Sequence, residues 1–106
     1  MARRRTRDAV RILDRLDKGD RELRAMVDEE LLNVEVAQLI YNARAAAGLT
    51  QVQLAEMVGT TQSVIARLED ADYDGHSLSM LRRIADALGQ RIELRFRPKD
   101  GEQEAA

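Results

Sequence analysis

The sequence of 106 residues contains no cysteine, which excludes disulfide bonds, thiolate metal sites and a cysteine nucleophile. It has a single histidine, so we expect no zinc site. Aromatic residues make up only 3%, and a core must therefore consist of Leu, Ile, Val, Ala and Met. No apolar run approaches the roughly 18 residues of a membrane-spanning helix. No apolar stretch follows the basic N-terminus, so it is not expected to be a secretory signal. We therefore expect one cytoplasmic domain with flanking tails.

Charge is distributed unevenly along the chain, whose formal net charge is −2. Residues 1–24 contain nine basic and five acidic residues, a net +4, whereas residues 25–76 contain two basic and nine acidic residues, a net −7. Residues 77–106 carry a net +1. Because DNA-binding domains are usually basic, a DNA-binding unit in the acidic middle would depend on few cations, backbone amides and a second copy of the chain.

Residues 49–69 have the pattern of two short helices joined by a tight turn. Thr50 is a suitable N-cap for the first helix, and Gly59 suits the left-handed conformation that often ends a helix. Thr60 is the expected N-cap of the second helix. Apolar residues recur there at helical spacing, namely Val64, Ile65 and Leu68. This arrangement is typical of a DNA-binding helix-turn-helix, whose second helix enters the major groove.

The polar face of the second predicted helix carries side chains that can contact DNA. Gln62 can bond adenine through two atoms, and Arg67 can do the same with guanine. Thr61 and Ser63 can reach either a base or a phosphate. The alternative is an ordinary solvated helix face.

The N-terminal third has helical periodicity. Residues 3–7 form a basic arm, which is either a solubilising tail or a contact for phosphate or protein. A short amphipathic helix is predicted over Asp8–Asp17, and Gly19 ends it. A second pattern begins near Asp20 and either continues unbroken to Gly48 or bends near Asn33. Its apolar stripe packs either on the domain itself or on a partner.

The C-terminal third is predicted to contain a loop, a helix and a strand. His76 lies in a turn-rich loop, where we expect it to contact backbone or phosphate. Ser77 can cap a helix that Gly89 ends. Residues 91–97 then alternate strictly, with three apolar side chains on one face: Ile92, Leu94 and Phe96. Because one strand cannot satisfy its own backbone groups, we predict pairing with a second copy, or else packing on the helices of the same chain.

Several short strings within residues 36–88 resemble the XRE, or lambda-repressor-like, helix-turn-helix family. They are Arg44, Gly48-Leu49-Thr50-Gln51, Leu54-Ala55, Gly59-Thr60-Thr61-Gln62 and Ile65-x-x-Leu68-Glu69. The resemblance implies that Gln51 contacts a phosphate and that Arg44 forms an internal salt bridge with Glu69, which would also direct Arg44 toward phosphate. The predicted DNA-binding residues are Arg44, Gln51, Thr60, Thr61, Gln62, Ser63 and Arg67.

Residues 59–89, followed by a short strand, are similar to the HigA-type antitoxins of toxin–antitoxin pairs. That similarity implies a homodimer that represses its own operon at a palindromic operator and binds a RelE-like ribonuclease toxin. The predicted fold is an all-α helix-turn-helix bundle, divided into a basic arm and helical extension (1–34), a DNA-binding domain (35–89), a dimerisation strand (90–98) and a polar, disordered tail (99–106).

Two other functional classes compete with a repressor. A protein-interaction module that uses the same fold to bind a protein partner, with little DNA affinity, would suit the acidic middle of the chain. An enzyme is not expected, because we find no nucleotide-binding loop, metal cluster or paired nucleophile and base. Neither a cofactor nor a metal ion is predicted.

Overall fold

The computed structural model describes the backbone of residues 2–99 and the side chains of residues 10–99. That part of the chain forms five helices: α1 (Ala2–Asp17), α2 (Arg21–Ala46), α3 (Gln51–Val58), α4 (Gln62–Leu68) and α5 (Leu78–Ala87). It contains no β-strand. None of its helices has the length and apolar character to cross a membrane. The predicted all-helical body is confirmed, whereas the predicted strand is absent from this single chain.

Helices α1 and α2 form an N-terminal hairpin. α1 begins at Ala2, so the backbone of the predicted basic arm is helical, and the helix starts earlier than the predicted Asp8. The turn contains Gly19, with φ of +81°, and Asp20, which caps α2 by accepting a hydrogen bond from the Leu23 amide at 2.9 Å. Arg15 donates to the same carboxylate at 2.7 Å. The Leu23 amide and the Arg15 guanidinium lower the pKa of Asp20 below its ordinary value.

Helix α2 is a single helix, so the unbroken alternative is the observed one. No glycine or proline occurs between Asp20 and Gly48, and the backbone hydrogen bonds can therefore continue past Asn33. The expected boundary between residues 34 and 35 lies inside this helix. Leu23 is buried near its N-terminus, whereas Ala37 and Ile40 are buried in its C-terminal half. α2 thus links the hairpin to the core of the domain.

The core of the domain is aliphatic, as the shortage of aromatic residues predicts. Its buried members are Ile40, Leu54, Ala55, Val58, Ile65, Leu68 and Ile84. They come from α2, α3, α4 and α5, and Leu54 and Ile65 are fully enclosed. At about 1.5–3 kcal/mol for each large side chain removed from water, these residues hold α3 and α4 in place.

Residues 90–98 follow α5 without forming a helix or a strand. A ladder needs a second strand, and the described chain offers none, which explains why the predicted strand is not formed here. Ile92 is half-buried, but Leu94 is 71% exposed and Phe96 is fully exposed. The predicted disordered tail lies outside the described residues from residue 100 onward.

Candidate nucleic-acid interface

Capping residues fix where the two helices of the helix–turn–helix unit, α3 and α4, begin and end. Thr50 and Gln53 form a reciprocal capping box at the start of α3, with bonds of 3.1 Å and 2.8 Å. Gly59 ends α3 with φ of +84°. This left-handed conformation is unfavourable for any residue that carries a Cβ atom. The N-cap of α4 is Thr61, whose hydroxyl accepts from the Val64 amide at 3.3 Å. The prediction that Thr60 caps this helix is therefore wrong by one residue, a common error at helix ends.

Glu69, immediately after α4, forms the predicted salt bridge with Arg44 of α2. Arg44 Nε and Nη2 donate to the two carboxylate oxygens at 2.6 Å and 3.0 Å. Arg44 Nη1 also donates to the Leu49 carbonyl at 2.8 Å. The Arg44 side chain is 13% exposed and the Glu69 side chain is 4% exposed. The carboxylate of Glu69 raises the pKa of Arg44. Arg44 also lies 5.2 Å from the centroid of the Tyr41 ring. Its charge is thus directed mainly into the protein.

Two glutamines extend this ion pair to the start of α4. Gln51 Nε2 donates to Glu69 Oε1 at 3.1 Å, and Gln62 Nε2 donates to Gln51 Oε1 at 2.7 Å. We call Arg44, Glu69, Gln51 and Gln62 the polar network. It connects α2, α3 and α4, and it restricts the orientation of Gln62 without using the Gln62 carbonyl oxygen. Sequence reasoning missed these bonds, because they join residues 11 and 18 positions apart.

The exposed polar side of α4 carries four predicted DNA contacts, which we call the recognition surface: Thr61, Gln62, Ser63 and Arg67. Ile65 and Leu68 are buried on the opposite side of the helix. Arg67 makes no side-chain hydrogen bond or ion pair within residues 10–99, so its five donors are available to a ligand. Thr60 lies in the turn and is half-buried, whereas Arg44 is set back in the polar network.

Two further side chains fix the ends of the unit. Arg83 of α5 donates to the Val58 carbonyl at 2.8 Å and thereby binds the C-terminal end of α3. No sequence motif indicates this contact, which spans 25 residues. His76 Nε2 lies 2.7 Å from the Leu68 carbonyl, so the expected backbone contact of this histidine is confirmed. The Tyr73 ring and the imidazole pack edge-to-face, with ring centroids 5.0 Å apart.

The described residues offer no metal site, since nowhere among them do three His, Asp or Glu side chains cluster closely enough to hold an ion. What the site provides is an exposed row of hydrogen-bonding groups on a short helix. The groups behind that row bond to one another. Such a surface is suited to bind the edges of bases and phosphates.

Comparison with known proteins agrees with this geometry. Residues 40–94 match the model of the helix-turn-helix family HTH_3, a span that includes the polar network and the recognition surface. The chain belongs to this XRE-like helix-turn-helix family. The membership predicted from the sequence is confirmed.

Two curated relatives extend the comparison. A protein of Mycobacterium tuberculosis (strain ATCC 25618 / H37Rv), provisionally named antitoxin HigA2, is 33% identical over 96 residues, which cover 91% of this chain and 89% of the relative. An uncharacterised HTH-type transcriptional regulator of Methanothermobacter thermautotrophicus is 48% identical over 52 residues, or 49% of this chain and 74% of the relative. No solved structure matches the chain. The helix-turn-helix protein is therefore similar, along nearly its whole length, to a protein provisionally named an antitoxin.

Proposed function

We propose that this helix-turn-helix protein is a sequence-specific DNA-binding repressor that acts as a homodimer on a palindromic operator. The observation that carries the proposal is the recognition surface, which is exposed on α4 and supported from behind by the polar network. Phosphate contacts would set the register on the duplex, and Gln62, Ser63 and Arg67 would select the bases. Two such helices, about 34 Å apart in a dimer, would contact two half-sites one helical turn apart.

Arg67→Ala tests the recognition surface. We expect operator affinity to fall by about 1–3 kcal/mol, or roughly 5- to 150-fold, and preference at one base pair to disappear. Fluorescence anisotropy on the operator and on its single-base variants measures both effects. Arg24→Ala is the matched control, because Arg24 is an exposed arginine of α2 remote from α4 in the chain. An equal loss on operator and scrambled DNA would contradict base recognition by Arg67.

Neutralisation of a toxin is the second part of the proposal. The hairpin exposes large apolar side chains that the domain core does not use: Val10, Leu13, Met26, Leu31 and Leu32. Four acidic residues accompany them in α2 (Asp28, Glu29, Glu30 and Glu35), and no basic residue occurs between positions 25 and 43. The α2 part of this surface suits a basic protein partner, and the similarity to HigA2 favours a RelE-like toxin encoded beside this protein.

Leu32→Glu tests this partner surface. When the chain is co-expressed with the product of the adjacent gene, we expect the variant to lose protection of growth while it still binds the operator. Leu78→Glu provides the control, because Leu78 is equally exposed on α5, at 58% against 59% for Leu32. Equal protection by Leu32→Glu and the wild type would contradict this docking surface.

A protein-interaction module with little DNA affinity is the alternative function, and the acidic charge of residues 25–76 favours it. The two functions are separable, since we expect Arg67→Ala to weaken only DNA binding and Leu32→Glu to weaken only binding of the protein partner. Weak, equal binding to operator and scrambled DNA, together with stable binding of the partner, would favour the alternative.

A further inference from the structure

The segment after α5 combines exposed apolar side chains with free backbone groups. Leu94 is 71% exposed and Phe96 is fully exposed, although both are large and apolar. Within residues 2–99, the amides and carbonyls of residues 91–96 make no backbone–backbone hydrogen bond. The apolar positions alternate with charged ones over Arg91–Arg97, as in a strand with one buried face. No neighbouring strand among the described residues completes this segment.

We propose that residues 91–97 pair antiparallel with the same residues of a second copy, in the register that sets Leu94 opposite Leu94. The inference rests on the homodimer of the proposed function and specifies how that dimer is joined. In this register Ile92 faces Phe96 of the second copy, so all six apolar side chains lie on one side of the two-stranded ribbon. Glu93 faces Arg95 of the second copy, which gives two cross-strand ion pairs, one on each side of the two-fold axis.

The neighbouring registers are less favourable. A slip by one residue sets apolar side chains opposite charged ones and turns half of them to the wrong face. A two-fold axis at Glu93 sets Glu93 opposite Glu93 and Arg91 opposite Arg95, so every charged pair is repulsive. An axis at Arg95 also gives two ion pairs, between Glu93 and Arg97, but it sets Arg95 against itself and Arg91 against Lys99. It also brings Pro98, which has no amide hydrogen, opposite Ile92.

The Leu94 register has one unfavourable feature, which is confined to the ends of the ribbon. Arg91 faces Arg97 there, outside the apolar and ion-paired centre. The charges of Glu93 and Arg95 therefore determine which strand can pair with this segment. Because Glu93 and Arg95 are complementary only when the strands are antiparallel and centred on Leu94, the pattern favours a second copy of this chain as the partner.

Charge reversal tests this register. In Glu93→Arg the strand carries arginine at both central charged positions, and in Arg95→Glu it carries glutamate at both. We expect each single variant to weaken dimerisation by about tenfold or more, because both ion pairs become repulsive. A mixture of the two single variants should form heterodimers, and the double variant Glu93→Arg/Arg95→Glu should recover the dimer. Sedimentation velocity and native mass spectrometry measure these species.

Cysteine crosslinking tests the same register without altering charge, and the absence of natural cysteines makes it unambiguous. Residues facing each other in antiparallel strands have Cα atoms about 4.5–5.5 Å apart, which a disulfide can bridge. Leu94→Cys should form a disulfide-linked dimer on its own. Ile92→Cys should crosslink only when mixed with Phe96→Cys, and Arg95→Cys should not crosslink with itself.

The outcomes separate the register from the proposed function. A wild-type chain that stays monomeric at all concentrations and on operator DNA would refute the homodimer and with it the strand pairing. Suppose that the wild type forms a stable dimer. If Arg95→Cys then crosslinks with itself, or if charge reversal does not weaken dimerisation, only the Leu94 register is refuted. Heterodimer formation by the mixed charge variants, together with efficient crosslinking of Leu94→Cys, is the result that the proposed register predicts.

Discussion

Replacement of Glu69 by glutamine tests whether the polar network stabilises the domain. The Glu69 carboxylate accepts three hydrogen bonds, two from Arg44 and one from Gln51. Glutamine has nearly the same shape, but it loses the charge and replaces one acceptor with a donor. Arg44 would then keep its bond to the Leu49 carbonyl while its charge lacked a counter-ion.

The expected loss of stability in Glu69→Gln follows from the burial of the ion pair between Arg44 and Glu69. Removal of one partner from a buried ion pair costs about 3–5 kcal/mol. Arg44 retains 13% exposure and one other acceptor, so we expect the lower end of that range for Glu69→Gln, about 3 kcal/mol. In a domain of this size that loss lowers the melting temperature by about 10–20 °C.

Urea unfolding followed by far-ultraviolet circular dichroism measures the difference in free energy. Glu56→Gln is the matched control, because Glu56 is an exposed glutamate of α3, and its change should stay within about 0.5 kcal/mol. A loss below about 1 kcal/mol for Glu69→Gln, similar to the control, would refute the stabilising role of the network.

Four further substitutions test the helix caps and the turn. Thr61→Ala should cost about 1 kcal/mol in urea unfolding, since it removes the N-cap of α4, and Thr60→Ala should cost less than half of that; the reverse order would contradict the observed cap. Gly59→Ala should cost about 1 kcal/mol through its left-handed backbone alone, because the nearest atom to the added Cβ, on Arg83, is at an ordinary 3.6 Å. The lowered pKa of Asp20 means that its carboxylate stabilises the fold above its unfolded pKa and that this stabilisation is lost as pH falls through the folded pKa. The stability difference between the wild type and Asp20→Asn should therefore shrink as pH falls from about 6 to 3. A difference independent of pH would contradict stabilisation by the ionised carboxylate of Asp20.

Local signals predicted the parts of the fold that depend on neighbouring residues. The left-handed Gly59 and the cap Thr50 could be identified because their chemistry acts within one helical turn. The aliphatic core followed from the periodic spacing of Ile65 and Leu68 and from the lack of aromatic residues. Helix ends were less certain, as the shift of the α4 cap from Thr60 to Thr61 shows.

Contacts between distant residues could not be predicted from the residues alone. The resemblance to repressors implied the salt bridge between Arg44 and Glu69, which the structure confirms. The bonds from Gln51 to Glu69 and Gln62, and the capping of α3 by Arg83, depend on how the helices pack. The predicted strand over residues 91–97 is not formed, because the described part of the chain offers no second strand with which it could pair.

Binding to DNA from upstream of its own gene tests the central proposal most directly. Fluorescence anisotropy at two salt concentrations would compare that DNA with a scrambled duplex of equal length. We predict strong preference for the upstream DNA, with a salt dependence that corresponds to a few phosphates per dimer. Weak binding, equal for the two duplexes, would contradict a sequence-specific repressor.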